Sequence, residues 1–216
     1  MDVELEKQAA AEAAAELVEA GMTVGLGAGS TVAFLLPALA RRRLSLRCVA
    51  SSPRTEASAR ALGLRVESFA KLDHIDLAID GADQVAKDGW LVKCGGAAHT
   101  REKLVAVSAD RFIVIVDSRK PVSTLHPPVP LELVPFGLES TLFRLGPFTR
   151  RAVPRSPDGG VIADHTGSFD DPAALANLFE STPGVVEHGL FPPVLVTTVL
   201  VARGGLVEPI QSGAYG

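Results

Sequence analysis

Residues 80–106 combine side-chain types that could move protons on an anionic small molecule. The stretch contains two carboxylates, a lysine, a glycine pair and a glutamate: Asp80, Asp83, Lys93, Gly95, Gly96 and Glu102. Glycines let backbone N–H groups approach a phosphate or carboxylate, and the start of a following helix favours negative charge. Acids and a lysine beside such a cradle can transfer protons.

A second glycine-rich segment, residues 25–31, reads GLGAGST and lies between a predicted strand and a predicted helix. Its backbone N–H groups and the hydroxyls of Ser30 and Thr31 could hold a phosphate, and either residue could cap the helix. A dinucleotide-binding loop would require an acid about 20 residues further on. That neighbourhood reads ASSPRT, without an acid, so a phosphate cradle and a plain tight turn are the two alternatives that stay open.

The carboxylates Asp80 and Asp83 follow the apolar run IDLAID, which predicts a buried strand. Ligands of parallel α/β sheets bind at the carboxyl ends of strands, whereas an Asp-Gly pair is also common in ordinary turns. The nearby Lys93 enters a glycine loop after the apolar triplet WLV, which favours contact with a ligand over a surface position.

For four other polar residues, an ordinary position on the protein surface is the alternative to a role in the site. Glu102 stands in the helix-like run AAHTREKLVAVSA, where a glutamate is usually solvated. Lys120 follows a strand, and Lys7 belongs to an alanine-rich helix over residues 3–20. His99 lies three residues before Glu102 and is interpreted as an incidental neighbour rather than a catalytic partner.

The elements that must position these residues alternate between strands and helices. Strands are predicted at 22–27, 46–51, 75–80 and 112–117, all nearly continuously apolar, with helices between them. Such strands are typical of a parallel sheet that is covered on both faces. Residues 121–135 then contain five prolines, which indicates a connection between two lobes.

The predicted fold class is therefore α/β, a doubly wound, mostly parallel, Rossmann-like sheet with a smaller α+β lobe. The main domain is expected over residues 1–128 together with a C-terminal tail of about 201–216. The small lobe is expected over about 129–200, and it includes the run LVTTVLVA at 195–202.

Composition excludes several classes of protein. The chain has 216 residues, 47% of them hydrophobic and 21% charged, which is typical of a folded, soluble protein. A net charge of −4 gives no basic surface for nucleic acid, and no apolar run is long enough for a membrane span. Two cysteines and five scattered histidines predict neither a disulfide framework nor a metal site, and the cysteine usage fits a cytoplasmic protein.

Taken in order, these motifs resemble ribose-5-phosphate isomerase of the A type. The resemblance covers roughly residues 1–208 and rests on GLGAGST, SSPRTEASARALG, IDLAIDGAD, KCGGAAHTREK, FIVIVDSRK, PLELVP, GGVIADHTG and PGVVEHGLF. It implies an aldose–ketose isomerase of the pentose phosphate pathway that uses no cofactor and no metal. It also implies a cytoplasmic homodimer or homotetramer whose only small-molecule partner is a sugar phosphate.

The resemblance also implies roles for individual residues. Glu102 would be the general base, Lys93 would stabilise the developing oxyanion, and Asp80 and Asp83 would shuttle hydroxyl protons. The substrate-binding positions would be Ala28, Gly29, Ser30, Thr31, Gly81, Ala82, Cys94, Gly95 and Gly96, with Lys120 or Lys7 at the phosphate.

Three positions depart from the family pattern. Ala28 replaces a threonine, Gln84 replaces a glutamate, and Cys94 replaces a glycine, where its side chain could narrow the pocket or be oxidised. Residues 137–160 also look shortened. Two alternatives therefore stay open beside the isomerase: a paralogue acting on another sugar phosphate, and a non-catalytic sugar-phosphate-binding protein. A coenzyme A transferase is a more distant alternative.

Overall fold

The computed structural model describes residues 2–96 and 98–211. Its α-helices, in chain order, are α1 (Val3–Glu16), α2 (Ser30–Arg42), α3 (Pro53–Ala61), α4 (His99–Val107), α5 (Leu138–Leu145) and α6 (Pro172–Ser181). Two short 3-10 helices cover Phe69–Lys71 and Pro193–Leu195. In this part of the chain, no helix combines the length and the apolar character needed to cross a membrane.

The strands form three sheets. In chain order they are β1 (Thr23–Leu26), β2 (Arg47–Ala50), β3 (Ile75–Asp80), β4 (Gln84–Ala86), β5 (Leu91–Val92), β6 (Ala109–Asp117), β7 (Pro121–Val122), β8 (Val129–Leu133), β9 (Phe148–Arg150), β10 (Val161–His165), β11 (Val185–His188), β12 (Leu190–Phe191), β13 (Thr198–Arg203) and β14 (Leu206–Gln211). The four strands predicted before residue 118 all form, and β6 begins three residues earlier than expected, at Ala109.

The large sheet has the strand order β14-β13-β6-β3-β1-β2. Neighbouring strands from β13 to β2 are parallel, and only the edge strand β14 runs antiparallel to its neighbour. The predicted α/β class with a mostly parallel sheet is confirmed. Because these strands are parallel, the loops after β1 and β3 emerge at the same edge of the sheet.

Side chains of the central strands alternate between two buried cores, which explains their continuous apolar sequence. In β6, Ile113 and Ile115 pack in the core with α1 and α2, whereas Phe112, Val114 and Val116 pack on the opposite face with α4. Each face of the sheet is thereby covered by helices, as the sequence pattern predicts.

A smaller sheet, β11-β8-β10-β9, packs with α5 and α6 around its own apolar core. We refer to residues 129–188, which contain these elements, as the small lobe. A third sheet, β12-β5-β4-β7, consists of strands of two or three residues. Its strands β4 and β5 lie between Asp83 and Lys93 in the chain. The sequence analysis did not predict this sheet because such short strands have no recognisable periodicity.

The predicted boundary near residue 200 falls inside β13. This strand pairs in parallel with β6 in the large sheet, so the run at 195–202 was wrongly included in the small lobe. Its first five residues are all buried, as is usual for a strand inside a sheet, whereas a boundary drawn from sequence takes no account of long-range pairing. The predicted tail of about 201–216 forms the end of β13 and β14, and its residues 212–216 lie outside the described part of the chain.

Candidate active site

Asp80 joins the two glycine-containing loops at the edge of the large sheet. Its Oδ1 accepts hydrogen bonds from the backbone N–H of Ala28, at 3.0 Å, and of Gly81, at 2.7 Å. A Cβ on Gly27 would lie 2.0 Å from this carboxylate, so only glycine lets the first loop approach so closely. Asp80 is buried and belongs to the floor of the site.

Lys93 lies fully inside the protein between two carboxylates. Its Nζ is 2.9 Å from Oδ2 of Asp80 and 3.6 Å from Oε2 of Glu102, and it also donates to the carbonyl of Gly81. Burial alone would lower the pKa of this ammonium, but the two carboxylates outweigh it and raise the pKa above its ordinary value. The side chain is therefore a fixed positive charge at neutral pH.

Glu102 lies in the first turn of α4 and is buried, contrary to the ordinary surface role of a helix glutamate. Burial, followed by the negative charge of Asp80, raises the pKa of Glu102 from 4.5 to about 7, and the ammonium of Lys93 acts in the opposite direction. A carboxylate in this range can both accept and return a proton near neutral pH.

Lys93 and Glu102 line a cavity of about 230 Å³ at the carboxyl ends of β1 and β3. Its lining is Ala28, Gly29, Ser30, Thr31, Gly81, Ala82, Asp83, Lys93, Cys94, Gly95, Gly96, Glu102 and Lys120. Each of these residues was a sequence-predicted site residue. A larger cleft of about 810 Å³ adjoins the cavity along Ala28–Ser30, Gly95 and Gly96.

The start of α2 differs from the predicted cap. Gly29 is the N-cap, Ser30 is the first helical residue, and neither Ser30 nor Thr31 makes a capping bond. The expectation that a hydroxyl would cap α2 was therefore wrong, because the helix begins one residue earlier, at a glycine with a φ of 106° that few other residues adopt. Both residues remain at the cavity wall.

The two candidate phosphate lysines occupy different positions. Lys120 lines the cavity, and within the described residues its ammonium makes no ion pair. Lys7 does not line the cavity, and its Nζ lies 2.6 Å from Oε1 of Glu4 on the same helix. Of the two, Lys120 is the one whose charge is directed at the cavity.

Cys94 has unusual backbone geometry for a residue with a side chain. Its φ is 76°, in the left-handed region that glycine tolerates, and strain of this kind costs about 1–3 kcal/mol. Burial, followed by the charge of Glu102, raises the pKa of the thiol well above its ordinary value. The thiol is therefore protonated and a poor nucleophile, although its side chain does take up room at the cavity wall.

Gln84 and Ala28, the other two positions that depart from the family pattern, have different surroundings. Gln84 is buried and exchanges two hydrogen bonds with the backbone of His126, at 2.8 and 2.9 Å, so its amide does not reach the cavity. Ala28 lines the cavity and contributes its backbone N–H to Asp80. His99 is also buried, and burial lowers its pKa to about 3, so its ring is neutral.

The sequence analysis missed several residues of the small lobe. They bind the loop at Gly95 and the helix α4 beside the cavity. Arg151 forms a bidentate pair with Asp164, with both distances 2.6 Å, and donates to the carbonyl of Gly95 at 3.0 Å. Glu132 is buried in β8 and accepts hydrogen bonds from Thr100 on α4. For Glu132, the signal available in the sequence was a glutamate within the otherwise apolar strand VPLEL.

The structure also brings His74 near Asp76 and Asp110, with potential ligand atoms within 4.8 Å of one another. This group lies at the beginnings of β3 and β6. Asp76 and Asp80 are four residues apart on one strand, so about 13 Å of extended chain separates the group from the cavity.

Comparison with known proteins identifies the family. A family model described as ribose 5-phosphate isomerase A (phosphoriboisomerase A) matches residues 47–205. The chain belongs to the ribose-5-phosphate isomerase A family. It is thus an enzyme of the aldose–ketose isomerase class, and the resemblance inferred from the ordered motifs is confirmed.

Individual relatives cover nearly the whole chain. A ribose-5-phosphate isomerase A of Methanosarcina acetivorans is 44% identical over 203 residues, covering 86% of each chain. One of Lacticaseibacillus paracasei is 41% identical over 220 residues, 95% of this chain and 96% of that protein. A solved D-ribose-5-phosphate isomerase in complex with phospho-erythronic acid is 32% identical, with a TM-score of 0.92, covering 98% of this chain and 100% of that one.

Proposed function

We propose that this isomerase interconverts D-ribose 5-phosphate and D-ribulose 5-phosphate through a cis-enediolate, with Glu102 as the general base. The observation that carries the proposal is the buried Glu102 carboxylate with a pKa of about 7, 3.6 Å from the Lys93 ammonium. The names of the relatives support the choice of substrate.

In the proposed first step, the open-chain aldose presents its C2–H bond to Glu102. The carboxylate takes the C2 proton, the C1–C2 double bond forms, and the negative charge develops on O1. Lys93 stabilises this charge as a fixed and buried donor, and such an interaction is strong at a buried position.

In the second step, a proton moves from O2 to O1, and Glu102 returns its proton to C1 as the C2 carbonyl forms. Asp83, which lines the cavity, is placed to carry the hydroxyl proton and to assist ring opening. Asp80 has a supporting role, because its carboxylate is bound to Lys93 and to two backbone N–H groups.

The phosphate is assigned to the other end of the cavity. The Lys120 ammonium and the hydroxyls of Ser30 and Thr31 supply a charge and two hydrogen-bond donors there, next to the start of α2. Lys7 remains a candidate only if its bond to Glu4 breaks on binding.

Proton exchange at C2 tests the reaction directly. Ribose 5-phosphate is incubated with the protein in heavy water, with and without a chelator, and followed by NMR. We expect deuterium in product and substrate together with ribulose 5-phosphate, at rates that the chelator does not change. Glu102→Gln should abolish exchange while the phosphate resonance still shifts on binding.

The result also separates the two alternative functions. Shifted phosphate resonances without exchange, in the unaltered protein, would refute the proposed reaction and favour a binding protein. Exchange with a different aldose phosphate but not with ribose 5-phosphate would favour a paralogue, for which the side chain of Cys94 at the cavity wall is the motivating feature.

We further propose that the protein is a homodimer or homotetramer of the cytoplasm. Phe136, just before α5, and Phe143, on α5, are 92% and 88% exposed, and large exposed aromatic residues are typical of association surfaces. The buried free cysteines fit a reducing compartment. Native mass spectrometry gives the stoichiometry, and a monomer at micromolar concentration would contradict the first part.

A further inference from the structure

Three residues near the start of α4, on either side of Glu102, bind acids of the small lobe. The pairs are Thr100 with Glu132, Arg101 with Asp158, and Lys103 with Glu187. The helix that presents the proposed base is thereby attached to a part of the molecule that does not line the cavity.

Glu132 is the buried member of these acids. Its Oε2 accepts from Oγ1 of Thr100 at 2.7 Å and from the backbone N–H of Thr100 at 3.2 Å, and its Oε1 accepts from Ser156. A Cβ on Gly160 would lie 2.4 Å from Cγ of Glu132, so this glycine provides the space that the side chain occupies.

The bond to the Thr100 N–H replaces a missing helix cap. The N-cap of α4 is Ala98, which has no side-chain oxygen and makes no capping bond. A capping side chain normally accepts from the second or third N–H of its helix, and Thr100 is the second residue of α4. Glu132 thus supplies, from another part of the fold, the hydrogen-bond acceptor that the N-cap residue of α4 lacks.

We propose that Glu132 is a positioning residue for the isomerase reaction, which fixes the first turn of α4 and with it the carboxylate of Glu102 relative to Lys93. This inference rests on the proposed role of Glu102 as the base. The other two acids are more exposed: the exposed fraction is 44% for Asp158 and 21% for Glu187, and ion pairs contribute less as exposure to solvent increases. Glu132 has an exposed fraction of 1%.

The test compares Glu132→Gln with the unaltered enzyme. Glutamine keeps the shape but loses the charge, so Thr100 is held less firmly. Because a displacement of about 1 Å can lower a rate up to about 100-fold, we expect kcat to fall about tenfold while KM changes less than about twofold. The acidic limb of the kcat/KM profile should move to higher pH, since Glu102 loses part of its interaction with Lys93.

Two further variants keep the test decisive if Glu132→Gln folds poorly. Thr100→Val removes the hydroxyl on the other side of the contact and should lower kcat in the same way, whereas Thr100→Ser should retain nearly full kcat. The double variant of Glu132→Gln and Thr100→Val should be no slower than the slower single variant, because both remove the same contact.

Asp171→Asn is the matched control. Asp171 caps α6 in the small lobe by accepting from the backbone N–H of Ala173 and Ala174, at 2.9 and 3.1 Å, away from the cavity. It should lower stability without changing kcat or the pH profile. Equal kcat in Glu132→Gln, Thr100→Val and the unaltered enzyme would overturn the inference. Absence of turnover in the unaltered enzyme would instead refute the proposed function itself.

Discussion

Replacing Glu102 by glutamine should abolish turnover and at the same time stabilise the protein at alkaline pH. Burial raises the pKa of Glu102 from 4.5 to about 7, so the folded protein binds this proton more tightly than the unfolded chain does. The resulting stabilisation is fully present below pH 4.5 and is lost as the pH rises towards 7.

The magnitude follows from the same two pKa values. The proton linkage of one such group changes the free energy of unfolding by about 2.5 kcal/mol between pH 5 and pH 8, the folded state being less stable at pH 8. Glutamine cannot ionise, so the variant lacks this loss. Relative to the unaltered protein, Glu102→Gln should therefore gain about 2.5 kcal/mol over this interval.

Urea unfolding of both proteins at several pH values measures this difference. Activity should follow the opposite trend, with kcat/KM of the unaltered enzyme falling about tenfold per pH unit below pH 7. Glu19→Gln removes an exposed glutamate charge whose carboxylate makes no ion pair within the described residues, and it reports the effect of net charge. A stability difference that does not change with pH would refute the argument that the buried carboxylate ionises near neutrality.

Three other substitutions test the remaining parts of the site. Lys93→Met leaves Asp80 and Glu102 without their shared cation, so we expect inactivity and a loss of about 3–5 kcal/mol in urea unfolding; unchanged stability would contradict the buried ion pairs. Lys120→Ala should raise the KM for ribose 5-phosphate at least about tenfold in steady-state kinetics, since a hydrogen bond to a charged group is worth about 1.5–3 kcal/mol; an unchanged KM would return Lys7 to consideration. Cys94→Gly should be more stable than Cys94→Ala by about 1 kcal/mol, because the positive φ at this position strains any residue with a Cβ, such as alanine, but not glycine; the reverse order would mean that this backbone is unstrained.

The sequence predicted those parts of the fold and site that depend on local pattern. Apolar strands alternating with helices predict a parallel sheet, and in such a sheet the residues after β1 and β3 must meet at one edge. For that reason Asp80, Asp83 and the loop at 28–31 could be assigned to one site from their positions after strands.

The burial of Glu102 and the difference between the two lysines could not be predicted in this way. Helix periodicity does not distinguish Glu102 from its charged neighbours, because whether a charged face is buried depends on partners far away in the chain. Acids of the small lobe, 32 to 84 residues further on, bind Thr100, Arg101 and Lys103. These contacts occupy the neighbours of Glu102 and leave its own carboxylate at the cavity.

Burial is the main cause of the near-neutral pKa of Glu102, and the charges of Asp80 and Lys93 contribute to it. Asp80 and Lys93 form a close pair at 2.9 Å, so Glu102, at 3.6 Å, shares an ammonium that Asp80 already neutralises in part. Ionising Glu102 gives the buried trio a net negative charge, which low polarity disfavours. In the reaction that we propose, Glu102 takes the substrate proton and becomes neutral as the enediolate develops, so the Lys93 charge becomes available to the new oxyanion. Under that mechanism, the arrangement that makes Glu102 a moderate base also transfers the electrostatic attraction of Lys93 to the intermediate when it forms.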